Sequence, residues 1–179
     1  MRENRVKMDW GFKRADGTEL SKVRISNSTF IDYVQNLYIE DNVFISHFCN
    51  LEASNKIIIR EGCQIASHVV MTTHSSHVSV RLYGEDYTKY SSPKGYIAGS
   101  IEIGKYSFIG AHSLFMPNTK IGKGSVVSAY SYVQGEFPDF SRIKGNPAKR
   151  IGDTRKIDKK YLAKHPELIP LYKKWADED

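Results

Sequence analysis

The sequence predicts an all-β solenoid: a parallel β-helix of six-residue repeats, interrupted by one inserted arm and followed by a C-terminal helical segment. Three observations predict it. From Ile103 to Tyr132 the chain reads as five consecutive sixes, starting at Ile103, Ile109, Phe115, Ile121 and Val127. The fifth residue of each six is Ser or Thr, namely Ser107, Ser113, Thr119, Ser125 and Ser131. The second residue is Gly in three of them, Gly104, Gly110 and Gly122. A period of six fits neither an amphipathic helix, at 3.6, nor a half-buried strand, at two. It fits a coil in which each six supplies one short strand and one corner of a triangle. The first residue then points into the prism, the small fifth residue sits at the tight corner, and Gly takes backbone angles strained for other residues. Three sixes complete a coil, and coils stack about 4.8 Å apart, as strands do in a sheet. A β-sandwich would have to produce five in-phase sixes by coincidence.

Taken in order, residues 1–24 show no period. They carry Arg2, Arg5, Lys7, Lys13, Arg14, Lys22 and Arg24 around Trp10 and Phe12. Solenoids need capped ends, so this stretch is expected to cover the N-terminal end of the prism. The other reading is an arm beside a ligand site, with Asp9 or Trp10 touching an acceptor. The prism itself is expected over residues 25–151. Its sixes begin at Ile25 and Ile31, slip by two at Leu37-Tyr38, resume at Ile39, Ile45 and Leu51, and slip again at Ile57-Ile58. They then run through Ile59, Ile65 and Met71. A two-residue slip lengthens a corner without changing which side chains face inward. Residues 77–100 leave the repeat with four tyrosines, Tyr83, Tyr87, Tyr90 and Tyr96, and mixed charge. Such a stretch is expected to be an ordered arm folded over a neighbouring surface. After Val133 the pattern fades into Gly145-Asn146-Pro147-Ala148-Lys149-Arg150. Residues 152–179 read as helical, capped by Asp153 or Thr154 and divided by Pro166 and Pro170, and are expected to cap the C-terminal end.

Composition narrows the function classes. At 179 residues the chain is one domain with room for a sizeable core. No apolar run is long enough to span a membrane, and the first residues lack the apolar stretch of a signal peptide. Cys49 and Cys63, with no CxxC, suggest neither a disulfide framework nor a zinc cluster, so a reduced cytoplasm is the expected compartment. The formal charge of +6 crowds into both ends, without a nucleic-acid-binding module. It suits a polyanionic small ligand such as a nucleotide cofactor, with no nucleic acid and no membrane insertion.

The stretch Met71-Thr72-Thr73-His74-Ser75-Ser76-His77 stands where the repeat meets the arm. Histidine is the natural general base near neutral pH, and a junction can expose its ring while its backbone stays rigid. His47, His68, His77 and His112, taken singly, read as structural. The ordered repeats, Thr72-Thr73-His74 before an excursion, and the closing Gly145-Asn146-Pro147-Ala148-Lys149 together resemble the hexapeptide-repeat acyltransferases. The likeness covers roughly residues 25–151. It is strongest to the galactoside, maltose and other sugar O-acetyltransferases and their relatives in surface-polysaccharide and lipopolysaccharide assembly.

That resemblance implies a left-handed β-helix, and a homotrimer with sites between subunits. It implies acetyl transfer from acetyl-CoA to a sugar or surface-glycan hydroxyl. His74 would be the general base for direct attack on the thioester. Ala111, Ser128 and Ala129 match positions that meet coenzyme A, and Lys149 and Arg150 match those that meet its phosphates. Glu85 or Asp86 is a candidate to orient His74, and a backbone carbonyl would serve as well. Tyr83, Tyr87 and Tyr90, with Glu85, are candidates to hold the acceptor. No metal ligand set is expected. The stretch Ile45-Ser46-His47-Phe48-Cys49-Asn50 lacks the family's Asn-rich corner, so the acceptor is expected to be held differently from the galactoside enzymes. Acetylation of an amino sugar is the nearest variant. Enzymes acting on nucleotide-linked amino sugars often carry an added N-terminal domain, which the chain as read leaves no room for, and this favours oxygen. Other readings are an antibiotic acetyltransferase, a zinc enzyme like the γ-class carbonic anhydrases, and a non-catalytic scaffold.

Overall fold

Strands come in threes, and every third one returns to the same face. In the computed structural model, which describes residues 6–177, five coils follow one another. The first face is built from Phe30–Asp32, Asn50–Glu52, Val70–Thr72, Leu114–Phe115 and Tyr132–Val133. The second is built from Leu37–Ile39, Ile57–Ile59, Ile101–Ile103, Thr119–Ile121 and Glu136–Phe137, and the third from Phe44–Ile45, Gln64–Ile65, Phe108–Ile109, Val126–Val127 and Ser141–Gly145. Within each face these strands pair in parallel. Twenty residues separate Leu37 from its partner Ile57, and eighteen separate Ile101 from Thr119. The two-residue slips are therefore real, and they fall in the early coils.

The first residue of each six does point inward. Ile39, Ile45, Leu51, Ile59, Ile65, Met71, Ile103, Ile109, Phe115, Val127 and Val133 are all fully buried. The fifth residues Ser107, Ser113, Thr119, Ser125 and Ser131 are buried as well. Their hydroxyls are satisfied by backbone: Ser107 donates to Gly122 O at 3.1 Å, and Ser131 donates to Ser128 O at 2.7 Å. A hydroxyl buried at a corner is tolerable only with such a partner.

The glycines need a correction. The residues with left-handed backbone are those at the fourth position: Tyr106 (φ 55°), His112 (58°), Asn118 (64°), Gly124 (61°) and Tyr130 (58°). The second-position glycines are required by close approach instead. A Cβ on Gly110 would lie 2.4 Å from Ala129 N and 2.7 Å from Val127 O, in the backbone of the next coil. Gly104 and Gly122 would meet the next coil's backbone at 2.5 and 2.3 Å. Gly110→Ala is therefore expected to destabilise the protein by about 1–3 kcal/mol. At this size that lowers Tm by several degrees, which a calorimetric scan would show. An unchanged Tm would mean that the coils can separate locally without cost.

The expected N-terminal cap is a hairpin. Met8–Lys13 pairs antiparallel with Glu19–Ser26, which in turn pairs parallel with Phe44–Ile45 and so lengthens the third face. Arg2 and Arg5 of that stretch lie outside the described residues. At the other end Ser141–Gly145 turns through Asn146-Pro147 and pairs antiparallel with Ala148–Asp153. Helices α1 (Ser79–Tyr83), α2 (Arg155–Lys164) and α3 (Ile169–Ala176) follow in chain order. Asp153 takes the cap of α2, accepting the Arg155 N–H at 3.0 Å; the Thr154 hydroxyl instead ties the helix to Gly124 O at 2.8 Å. Trp175 of α3 lies 4.8 Å from the Tyr106 ring and 5.9 Å from Phe140. The C-terminal helices thus pack on the flank, at the corner between the second and third faces, where Gly124 leaves room for Trp175.

Candidate active site at the root of the arm

The arm leaves the coil at one corner, between the first and second faces. Forty-four residues separate Ile57 from its partner Ile101, yet the register on either side is unbroken. At the root of this excursion His74–Ser75 pairs antiparallel with Ile97–Ala98, which fixes the backbone of His74. The side chain of His74 is 37% exposed.

One coil below, Glu52 stands beside Thr72 on the first face. Its Oε2 lies 2.9 Å from His74 Nδ1. The carboxylate is itself held by Ser54 N–H on Oε1 at 2.9 Å, and by Thr73 N–H and hydroxyl on Oε2 at 2.9 and 3.0 Å. Burial pushes the Glu52 carboxyl up, but the hydrogen bonds from Ser54 and Thr73 outweigh it and hold it at about 2. Glu52 is therefore an acceptor at neutral pH, so Nδ1 of His74 carries the proton that faces it. Nε2 is left with its lone pair. A carboxylate that fixes the tautomer of an exposed histidine is the arrangement of a general base with its orienting partner.

Because this carboxyl sits below its ordinary 4.5, it stabilises the folded state fully above pH 4.5, and that contribution is lost as pH falls from there through about 2. Wild-type Tm is expected to drop more steeply across that range than Tm of Glu52→Gln, which has no such proton to take up. Parallel Tm curves would show that Glu52 does not carry this linkage.

The arm supplies a wall. The Tyr96 ring lies parallel to His74, with centroids 5.7 Å apart and planes at 11°. Burial pushes the Tyr96 phenol up, with Tyr87, Glu52 and Tyr33 adding to it. Tyr33 stands on the same corner in the first coil and is 48% exposed.

Other expected site residues are distributed as follows. The carboxylate on His74 is Glu52, not Glu85 or Asp86: Glu85 is exposed on the turn after α1, and Asp86 pairs with Lys89. Tyr83 and Tyr90 pack on each other at 4.7 Å, and the Tyr83 hydroxyl accepts from Lys94 N–H, so both hold the arm together. Ala111, Ser128 and Ala129 lie at the corner between the third and first faces, across the first face from His74. Lys149 is exposed on the last strand, while Arg150 bonds to Ser141 Oγ at 3.1 Å and to Asp153 at 3.3 Å. His112 and His68 stack face to face, 4.6 Å apart, on the corner of Ala111, not on that of His74. His47 bonds to Ser26 Oγ and His77 to Ser75 Oγ, both at 2.7 Å. Among the described residues no group of three or more His, Cys, Asp and Glu side chains converges as a metal site. Among them too, no helix is long and apolar enough to cross a membrane.

Glu52, Tyr33 and Tyr96 were not singled out in the sequence. Glu52 had a signal: the early coils are twenty residues long, so the residues beneath Thr72 and His74 are Glu52 and Ser54.

Comparison with known proteins fits this geometry. No family model matches the chain. A Saccharomyces cerevisiae protein that carries an acetyltransferase name is 33% identical over 133 residues, covering 73% of this chain and 61% of the relative. A Staphylococcus aureus protein of similar name is 30% identical over 141 residues, covering 79% and 65%. WbbJ of Escherichia coli, named for O-acetyl transfer in lipopolysaccharide biosynthesis, is 29% identical and covers 64% and 59%. The chain thus spans about three fifths of the length of the curated relatives it matches. Among solved structures it superimposes on a maltose O-acetyltransferase from Clostridium difficile with TM-score 0.62 at 23% identity, covering 71% of this chain and 64% of that one. It matches galactoside acetyltransferase in complex with coenzyme A with TM-score 0.59 at 24% identity, covering 73% and 62%. These structural likenesses speak to fold. Together with the sequence relatives they agree on one answer: the chain is similar to acetyltransferases in sequence and shares the fold of the hexapeptide-repeat acetyltransferases.

Proposed function

We propose that this protein is an acetyltransferase that moves acetyl from acetyl-CoA to a hydroxyl of a sugar or surface-glycan precursor. The observation that carries the reading is the His74–Glu52 pair, 2.9 Å apart at the root of the arm. Nε2 of His74 takes the proton of the acceptor hydroxyl. The freed oxygen attacks the thioester carbonyl, the carbon–sulfur bond breaks, and the proton on His74 passes to the departing sulfur. Glu52 keeps the ring in its productive tautomer and steadies the imidazolium formed midway. Holding both substrates in one groove supplies the entropic part of the rate.

The coenzyme is assigned to the corner of Ala111, Ser128 and Ala129. There Gly110 brings the coils together, beside the stacked rings of His68, His112 and Tyr130. Lys149, exposed and without an ion-pair partner among the described residues, would meet its phosphates. The coil is read as left-handed and the assembly as a homotrimer, with this corner of one subunit facing the His74 corner of the next. An exposed apolar strip supports that arrangement. Phe30, Phe48, Phe108 and Tyr130 flank the corner between the third and first faces, at 60, 52, 47 and 73% exposure. A strip of that kind on a soluble protein marks an interaction surface. A structural neighbour with TM-score 0.60, AntD of Bacillus cereus, is an N-acyltransferase, so an amine acceptor is the second reading.

The test is release of coenzyme A from acetyl-CoA, followed with a thiol reagent, against a panel of sugars, nucleotide-linked sugars, amino sugars and chloramphenicol. Turnover of a sugar through its hydroxyl is the expected result. Turnover of an amine alone would move the assignment to nitrogen. No turnover, with no acetyl-CoA binding, would leave the chain a scaffold.

A further inference from the structure

A cavity of about 370 Å³ opens on the same corner as His74, two coils nearer the N-terminal hairpin. Gln35, Asn36, Tyr38 and Lys56 of the first two coils line it, with Arg14 of the hairpin. It is tied to the catalytic corner by a short relay. Asn36 Nδ2 donates to Ser54 O at 3.1 Å, and Ser54 Oγ lies 3.3 Å from His74 Nδ1. Two rungs of stacking place it about 10 Å from the coil of His74. Tyr33 stands exposed on the first coil, next to Gln35 and Asn36 in the chain. A single sugar ring placed with one hydroxyl at His74 does not reach that far.

The walls differ in charge and freedom. Arg14 is built in: its guanidinium lies over the Tyr38 ring at 4.1 Å, pairs with Asp16 at 3.0 Å and donates to Thr18 Oγ1 at 2.8 Å. Asp16 cancels its charge. Lys56 is different. Its backbone is pinned, with N–H on Ala53 O and carbonyl on Ile101 N–H. Its side chain is exposed, with no ion-pair partner among the described residues. The cavity therefore carries one uncompensated positive charge, beside the amide groups of Gln35 and Asn36 and the Tyr38 hydroxyl. Charge-assisted hydrogen bonds from such a set favour an anionic oxygen group over a neutral hydroxyl.

We propose that this cavity is a second acceptor subsite, which takes an anionic group of the acceptor, a phosphate or a carboxylate, about 10 Å from the hydroxyl presented to His74. The inference rests on the reading of His74 given above and narrows its acceptor. A free neutral monosaccharide is the wrong size and the wrong charge. A nucleotide-linked or lipid-phosphate-linked sugar fits, as does an oligosaccharide with a uronic acid one residue away.

Calorimetric titration of the full chain tests this, with three probes: UDP-glucose, a glucuronate-containing disaccharide, and lactose as the neutral control. Wild type is expected to bind one anionic probe at least about tenfold more tightly than lactose at low salt. Which probe it is tells phosphate from carboxylate. The preference should shrink in Lys56→Gln and vanish or invert in Lys56→Glu, with lactose binding unchanged. Absence of any anionic preference in wild type would overturn the subsite, and so would a preference that survives Lys56→Glu. His74→Ala run in parallel keeps the two readings apart. Absence of the charge preference in wild type, with its coenzyme A release intact, removes the subsite alone. An intact preference with no coenzyme A release in wild type removes the transferase reading alone.

Discussion

His74→Ala is expected to lower turnover by a factor of about 10²–10⁴ while leaving the fold intact. The factor corresponds to about 3–5 kcal/mol of transition-state stabilisation, the share that a positioned base supplies. The side chain is partly exposed and closes no core, so Tm should move little. The loss should appear in kcat with little change in KM for acetyl-CoA, because the base acts only as the hydroxyl loses its proton. The measurement is initial-rate kinetics of coenzyme A release for wild type and variant on the active acceptor. A variant keeping more than a tenth of the wild-type rate would remove His74 from the chemistry.

The second large effect concerns the prism itself. Phe115 is fully buried on the first face, paired with Met71 below and Val133 above. It is the largest of the fully buried side chains, at a position that elsewhere in the column is Ile, Leu, Met or Val. Phe115→Ala should cost about 3–5 kcal/mol, a large part of a typical total of about 5–15. Coils contact only their neighbours, so the damage should concentrate in the fourth and fifth coils. Hydrogen exchange is expected to show loss of protection from about Leu114 to Gly145 before the earlier coils respond. Uniform loss along the whole chain would mean that the prism unfolds as one cooperative unit.

The scaffold was legible because its rule is local. Each six carries its own inward residue and its own small corner residue, and Ile109 or Ser113 means the same thing wherever the coil has reached. The glycines show the limit of that rule. Gly110 is required by the backbone of Ala129, a neighbour visible only after the coils are stacked. His74 was legible because a repeat breaks beside it and because Thr72-Thr73-His74 resembles a known catalytic segment. Its partner was not, since Glu52 acts from one coil below. The expected carboxylates, Glu85 and Asp86, lie on the arm, where Glu85 is exposed and Asp86 pairs with Lys89. Tyr96 is the reverse case. It is twenty-two residues from His74 along the chain, and the closing strand Ile97–Ala98 brings it back to within one ring's width.

The arm enters and leaves the coil at one corner, and the strands on either side keep the same register, Ile57 against Ile101 and Ile59 against Ile103. To the prism, the whole excursion is a longer loop. Lengthening a four-residue corner to this size is nearly three doublings, at about 0.6 kcal/mol each, so about 2 kcal/mol in closure entropy. A lineage built on this scaffold can therefore exchange one arm for another and change the walls around its base at little cost to the fold. His74 and Glu52 stay in place, because Glu52 sits on a coil and His74 at the root of the arm, both outside the exchanged segment. Divergence in acceptor and constancy in chemistry then have separate addresses in the sequence, and the first of them is the stretch between Ser75 and Ile97.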